Sequence, residues 1–398
     1  MGRKTRIAVI GGGIGGCTAA HALLQKGFDV HVYEAQPELK EIGAGVALGP
    51  NAMKALRSLG LEQAVRDVGY QGEYQYLLSW KTARVISKTP RADAEKRFGA
   101  AGCTIHRADL LDVLSARLPS ERLHLGARGA DVDTHGDVAW AKLRDGTEIE
   151  ADAIIGADGI HSAVRASLFG ADAPRFTGKI CYRSVIPVND VPGPPIQDGT
   201  WLGPHGAIVI YRVRRGELIN VVAHHDDDTY KHESWITECD RQEPIQRYSK
   251  WHESLKRLFS ASQVWYKWAL YDRDPIPQWT RGRVTVLGDA AHPMLPYLGQ
   301  GACQAMEDGC VLAMALEAMP DDVPGALQLY ERSRRPRASQ VVLAARTRGV
   351  DNHLVSPLAA LKRDALIWLR QRISSDRGGR GLTWIPAYDA GSRSVLAM

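Results

Sequence analysis

A run of glycines between two apolar segments constrains this chain more than any other feature. Arg6 to Ile10 is short, apolar and rich in β-formers, and Gly11-Gly12-Gly13-Ile14-Gly15-Gly16 follows at once. Cys17 to Gln25 reads as a helix closed by Gly27, and Asp29 to Glu34 as a second strand. Strand, helix and strand in that order demand a parallel sheet with a right-handed crossover. Gly11, Gly13, Gly15 and Gly16 let the backbone approach a pyrophosphate where helix N–H groups and the helix dipole favour negative charge. Glu34 ends the second strand, where a carboxylate accepts hydrogen bonds from a ribose diol. The pattern calls for a dinucleotide but does not separate NAD from FAD.

With 398 residues, the chain is long enough for two to three domains of roughly 150 residues each. Hydrophobic residues make up 44% and charged residues 24%, which excludes a disordered chain, a collagen repeat and a coiled coil. The longest apolar helical stretch, Cys310 to Met319, is interrupted by Glu317 and falls short of the ~20 residues a membrane span needs, so no membrane is expected. No apolar segment of export-signal type follows the basic start. The cysteines at 17, 103, 181, 239, 303 and 310 form no CxxC pair, so we expect no metal site, reduced thiols and a cytoplasmic location. Net charge is only +5. Arg332, Arg334, Arg335, Arg337, Arg346 and Arg348 cluster late, without interleaved aromatics, and read as a solvated helix face and not a nucleic-acid site.

Val138 to Leu143 and Glu148 to Ala151 flank the turn Asp145-Gly146 and predict a small hairpin. Ala153 to Gly156 returns to a continuous apolar strand. Lys179 to Val188, Ala207 to Val213 and Leu218 to His224 alternate, which predicts an antiparallel sheet with one solvated or ligand-facing side. Arg283 to Leu287 is another buried strand, followed by a loop to Gly301 and a helix from Cys303 to about Met319. From Gly325 to roughly Arg372 the pattern is helical, with a kink or break at Pro336, and Ser374 to Met398 reads as partly loose. The expected fold is α/β. It has a discontinuous Rossmann-type dinucleotide-binding domain (1–75, 98–178 and 272–345), an inserted antiparallel second domain (76–97 and 179–271) and a helical C-terminal region (346–398).

Two further motifs follow strands. Gly156-Ala157-Asp158-Gly159-Ile160-His161-Ser162 reads, taken alone, as a strand, a tight turn and a helix starting near His161. Leu287-Gly288-Asp289-Ala290-Ala291-His292-Pro293 holds a carboxylate at a strand's C-terminal end, where ligands sit in open α/β sheets and where it can bind ribityl or ribose hydroxyls. Pro296 to Gly301 then feeds a helix whose start can stabilise an anion at a flavin edge.

The three motifs in this order resemble those of the single-component FAD-dependent aromatic hydroxylases, most closely the salicylate hydroxylase branch. The resemblance spans about residues 5 to 390 and includes Glu41 to Asn51, Ile105 to Leu110 and Trp279 to Asp308. It implies an enzyme that uses NADH or NADPH and O2 to hydroxylate a small phenolic or aromatic-acid substrate through a flavin hydroperoxide, with or without decarboxylation. The protein is then a monomer or homodimer without nucleic-acid partners. By the same resemblance, Gly11, Gly13 and Gly16 hold the FAD pyrophosphate and Glu34 the adenosine ribose. Arg107 contacts the cofactor from a helix start, Asp289 the ribityl chain, and Pro293 lies beside the flavin. Asp158 serves cofactor and nicotinamide handling.

Some relatives place histidines at three pocket positions that are Ala47, Ala207 and Tyr297 here, which leaves the base open. Tyr297 and Tyr211 are candidates to orient the substrate phenol, and a packed aromatic is the alternative for both. Arg183 is a candidate carboxylate anchor or a solvated strand residue. His224 and His225 before Asp226-Asp227-Asp228 invite a metal reading that a charged turn explains better, and His106 and His161 read as structural. Competing readings are a non-oxygenating flavin oxidase or dehydrogenase, a monooxygenase for 3-hydroxybenzoate- or 6-hydroxynicotinate-like substrates, and a binding protein that kept the fold.

Overall fold

The computed structural model describes residues 4–39, 44–129, 131–234, 236–373 and 381–397. Residues 41–43 of the Glu41 to Asn51 motif, and 374–380 and 398 of the expected loose tail, lie outside them. Among the described residues the first sheet has six strands. Their order is Thr280–Arg281, Val284–Val286, Ala153–Gly156, Arg6–Ile10, Asp29–Glu34 and Leu123–Leu125, parallel except for the first pair. Its central strands are apolar on both faces because helices cover both sides. One cover is the Ile14–Gln25 helix against the Gly301–Ala318 helix. Their backbones meet at Gly309, where a Cβ would stand 2.8 Å from the Ala19 nitrogen. The expected hairpin is present at Val138–Lys142 and Glu148–Ala151, with Asp131–His135 as a third strand.

A second sheet of eight strands runs Glu238–Cys239, Trp265–Asp272, Arg175–Pro187, Leu218–Asp226, Gly206–Val213, Gly199–Gly203, Tyr74–Ser79 and Val85–Pro90. Its pairs are antiparallel except Gly199–Gly203 with Tyr74–Ser79. One face buries Ile180, Tyr182, Ile219, Val221 and Ala223 with Tyr248, Trp251 and Phe259. Strand alternation sends Cys181, Arg183, Asn220, Val222 and His224 to the other face. That face meets a two-stranded sheet of Gly45–Leu48 and Cys103–His106: a Cβ at Gly45 would stand 2.5 Å from the Tyr211 ring.

Several expectations need correction. The helix after Asp158 begins at Ala163 and not near His161, because Ser162 caps it by accepting the Arg165 N–H. The helix expected from Cys303 begins at Gly301. The Val323–Asn352 helix runs through Pro336, and the chain breaks instead before Pro357. The Arg332–Arg348 cluster is a solvated face only in part, as at Arg332. Arg334 is fully buried on Glu307 and Asp308, Arg337 bonds Glu307, and Arg346 bonds Asp272 and Asp274. The tail is docked at Trp384–Ala387, where Arg337 donates to the carbonyls of Trp384 and Ile385 and Lys54 to that of Ala387. Among the described residues no helix is long and apolar enough to cross a membrane.

Candidate active site

The first-sheet end of the site is the glycine loop, whose glycines do different work. Gly11 sits at φ +109° with its Cβ position 2.4 Å from the Ala157 oxygen, and a Cβ at Gly16 would stand 1.9 Å from the Gly11 oxygen. Both are required by the protein's own backbone. At Gly15 a Cβ would press the Leu287 side chain at 2.8 Å. Gly13 differs: its Cβ position has no protein atom within 4 Å, and it precedes a helix start without a side-chain cap or an acidic first turn. This is an open cradle beside unsatisfied helix N–H groups, and it suits a dinucleotide pyrophosphate. Glu34 accepts the Gly12 N–H at 2.6 Å and the Gln36 N–H at 2.8 Å, so its carboxylate is held at the loop's edge with lone pairs remaining.

Asp289 stands on a short turn, Gly288–Ala290, at the C-terminal end of Val284–Val286. It keeps solvent access within a recess crowded by protein, which pushes its carboxyl upward against the pull of His292 and Arg107. A Cβ at Gly301 would lie 3.9 Å from its Oδ1. Arg107, which opens the Arg107–Ser115 helix, and Gly301, which opens the Gly301–Ala318 helix, therefore converge with Asp289 on one recess. Pro293 follows as a buried residue. The turn itself is braced from behind. Asp308 accepts the Gly288 N–H at 2.9 Å, lies 2.6 Å from His292 Nε2 and accepts Arg334 Nε–H at 2.7 Å. The buried carboxylates in the helix pattern after Gly301 were the available signal for this brace, but their partners are remote in sequence.

Asp158 is not brought into the recess as a free carboxylate. It accepts from Ser162 Oγ and from the N–H groups of Ala163 and Val164, at 2.7 and 3.2 Å, capping that helix. His106 caps the Arg107 helix in backbone terms, and His161 pairs with Glu233 at 3.3 Å.

The face of the eight-stranded sheet that meets Gly45 gathers the remaining candidates. Arg183 is not solvated: it is 6% exposed and its guanidinium lies 5.2 Å from the Trp268 ring centre. Tyr211 pairs across strands with Asn220, whose Oδ1 accepts the Gly45 N–H at 2.7 Å. Burial pushes the Tyr211 hydroxyl pKa upward, with Arg183 opposing. Tyr297, on the Pro296–Leu298 turn, packs with Cys181, Val222, Trp268, Leu270 and Leu295. Its hydroxyl lies 2.9 Å from His353 Nε2.

His224 is the residue that sequence reading set aside. It is 1% exposed, its ring centre is 4.8 Å from that of Tyr297, and neither ring nitrogen has a partner among the described residues. Burial, with His353 nearby, holds its pKa down to about 3, so the ring is neutral at working pH. The Asn220 Nδ2 is likewise buried without a partner. His224 sits opposite Ala207, so a histidine reaches this region from the neighbouring strand. Ala47 contributes its backbone, accepting from Cys303 Sγ at 3.6 Å. His225, one residue on, points to the opposite face and bonds Arg247, so the two histidines do not converge on one metal. Alternation along Leu218–Asp226 from Asn220, the cross-strand partner of Tyr211, places His224 on the same face as Tyr211.

A family model described as an FAD binding domain matches residues 4–345. The 6-hydroxynicotinate 3-monooxygenase of Pseudomonas fluorescens is 37% identical over 348 residues, covering 86% of this chain and 90% of that protein. Among solved structures, Klebsiella pneumoniae HpxO complexed with FAD and uric acid superposes with a TM-score of 0.86 at 26% identity, covering 98% of both chains. A salicylate hydroxylase substrate complex superposes with a TM-score of 0.80 at 29% identity, covering 98% of this chain and 96% of that one.

Proposed function

This chain belongs to the single-component FAD-dependent aromatic hydroxylases, and from that premise we propose that it hydroxylates a small aromatic acid bearing a ring hydroxyl, a phenol or a hydroxypyridine. When bound, FAD reduced by NADH or NADPH supplies the activated oxygen. The observation that carries the substrate class is the buried set of unpartnered nitrogens, Asn220 Nδ2 and both of His224, on the face that also bears Arg183 and Tyr211 and against which Tyr297 packs. Buried polar groups of this kind are normally satisfied, so they fit a polar planar ligand. Arg183 anchors the substrate carboxylate, and Tyr211, Tyr297 and His224 hold its ring hydroxyl. Val222, Trp268, Leu270 and Leu295 keep water out, which prevents loss of the activated oxygen as peroxide.

In this reading the Gly13 cradle takes the pyrophosphate, Glu34 the adenosine ribose, and Asp289 with Arg107 and Gly301 the ribityl and flavin end. Residues 76–97 and 179–271 form the substrate domain, supported by the Tyr74–Ser79 and Val85–Pro90 strands joining the eight-stranded sheet. A cytoplasmic location, supported by six free cysteines, belongs to the same proposal.

The test is a screen of NADH and NADPH oxidation with salicylate, 3-hydroxybenzoate and 6-hydroxynicotinate, with product identification. One or more acids should yield a hydroxylated product in proportion to nicotinamide consumed. Nicotinamide oxidation that yields only peroxide with every acid would favour a flavin oxidase instead. Glu34→Ala should weaken FAD binding at least about tenfold in a folded protein, since each charge-assisted bond to a ribose hydroxyl is worth ~1.5–3 kcal/mol. Titration of the apoprotein with FAD measures this, and an unchanged affinity removes Glu34 from the ribose site.

A further inference from the structure

Behind Tyr297 runs a continuous chain of hydrogen-bonding groups. Its hydroxyl lies 2.9 Å from His353 Nε2, and His353 Nδ1 lies 2.6 Å from Asp226 Oδ1. The second carboxylate oxygen of Asp226 lies 3.4 Å from His205 Nδ1, and Lys179 Nζ approaches Oδ1 at 3.5 Å. Separate elements converge here: the Pro296–Leu298 turn, the cap of the Val323–Asn352 helix, and the end of the Leu218–Asp226 strand. Gly349 makes the approach possible, since a Cβ there would stand 2.7 Å from the Tyr297 ring. Exposure rises along the chain, from 7% for His353 to 33% for the Asp226 side chain and 51% for that of His205. The chain therefore leads from the ligand-side face to solvent.

The proton positions follow from the chemistry of the groups. Burial raises the Asp226 carboxyl, but His353 and Lys179 pull it net below its ordinary value, so it only accepts. His353 Nδ1, donating to Asp226, leaves Nε2 to accept from the Tyr297 hydroxyl. The Tyr297 oxygen is left as an acceptor toward a ligand, not a donor. Burial also pushes the Tyr297 hydroxyl well up, so it does not persist as a tyrosinate and passes a proton on only as it receives one.

We propose that Tyr297, His353 and Asp226 form a relay that withdraws the proton from the substrate's ring hydroxyl and holds it on His353, paired with the Asp226 carboxylate. This rests on the hydroxylase reading above. The substrate O–H bond breaks as its proton passes to the Tyr297 oxygen, and the Tyr297 proton passes to His353 Nε2. The substrate becomes a phenolate, and His353 becomes an imidazolium paired with Asp226, so charge balances and nothing is oxidised. The arrangement is that of a hydroxyl, a base and an orienting carboxylate. It supplies the base that Ala47 and Ala207 do not. From the sheet, His224, neutral and against the Tyr297 ring, and Cys181, packed with Tyr297, also face the relay.

The experiment uses the holoenzyme without nicotinamide and the acid that gives coupled turnover in the screen. Ionisation of the bound ring hydroxyl is followed by its absorbance across pH. In H353Q and D226N the bound hydroxyl should ionise at least one pH unit higher than in the parent, about a tenfold change in the equilibrium. Product per nicotinamide consumed should fall with it, and added imidazole should restore both in H353A. FAD content reports folding, and D226N, at the exposed end, carries the test if the His353 variants fail to fold. Parent-like ionisation and coupling in the folded variants would overturn the relay. A screen without any hydroxylated product would instead overturn the functional reading itself.

Discussion

Arg334→Ala is expected to lower the stability of the folded protein by about 3 kcal/mol, because it strands buried carboxylates without their cation. Arg334 is fully buried, with Nη1 2.6 Å from Glu307 and Nε 2.7 Å from Asp308, and Nη2 2.8 Å from Gln304 Oε1. Arg337 continues to hold Glu307, and His292 continues to hold Asp308, which places the expected loss at the lower end for a broken buried pair. Urea denaturation should show the midpoint falling with an unchanged slope. The pH response should change too. Burial raises the Asp308 carboxyl, but His292 and Arg334 draw it net well below its ordinary value. A depressed folded-state value contributes stability above an unfolded value of about 3.9 and loses it as pH falls further. The variant should therefore lose less stability than the parent on acidification below that point. Because Asp308 also holds the Gly288 N–H, FAD retention at the Asp289 turn should decline. A variant with the parent's midpoint and FAD content would show that the brace is not needed.

Gly13→Val should leave the apoprotein folded and weaken FAD binding at least a hundredfold, about 3 kcal/mol. The backbone at Gly13 is extended, with φ −70°, and a Cβ there meets no protein atom within 4 Å. The protein alone therefore tolerates a side chain at this position, whereas Gly11 and Gly16 press on backbone. A valine would occupy the space beside the helix N–H groups and displace a pyrophosphate from them. The check is thermal unfolding of the apoprotein together with FAD titration by flavin fluorescence. A variant that retains FAD as the parent does would move the pyrophosphate away from Gly13.

What the chain's local chemistry decides could be read without coordinates. The opening strand, glycine loop and helix depend on neighbours a few residues apart, as do the hairpin at Asp145-Gly146 and the carboxylate ending the Val284–Val286 strand. Strand alternation likewise predicted the antiparallel sheet that carries Arg183 and Tyr211.

The partners of individual side chains are a different matter. The strand–turn–helix at Asp158 was legible, but the capture of its carboxylate by the N–H groups of the helix start was not. Arginines at helical spacing read as a solvated face, and only packing against the Gly301–Ala318 helix turned Arg334 inward. Tyr297 meets His353 across 56 residues, and His353 meets Asp226 across 127. Sequence spacing specifies which face of an element a residue occupies. Which remote group stands opposite that face is decided only when the two sheets and the long helices pack, because a hydrogen bond depends on distances of a few tenths of an ångström that no local period encodes.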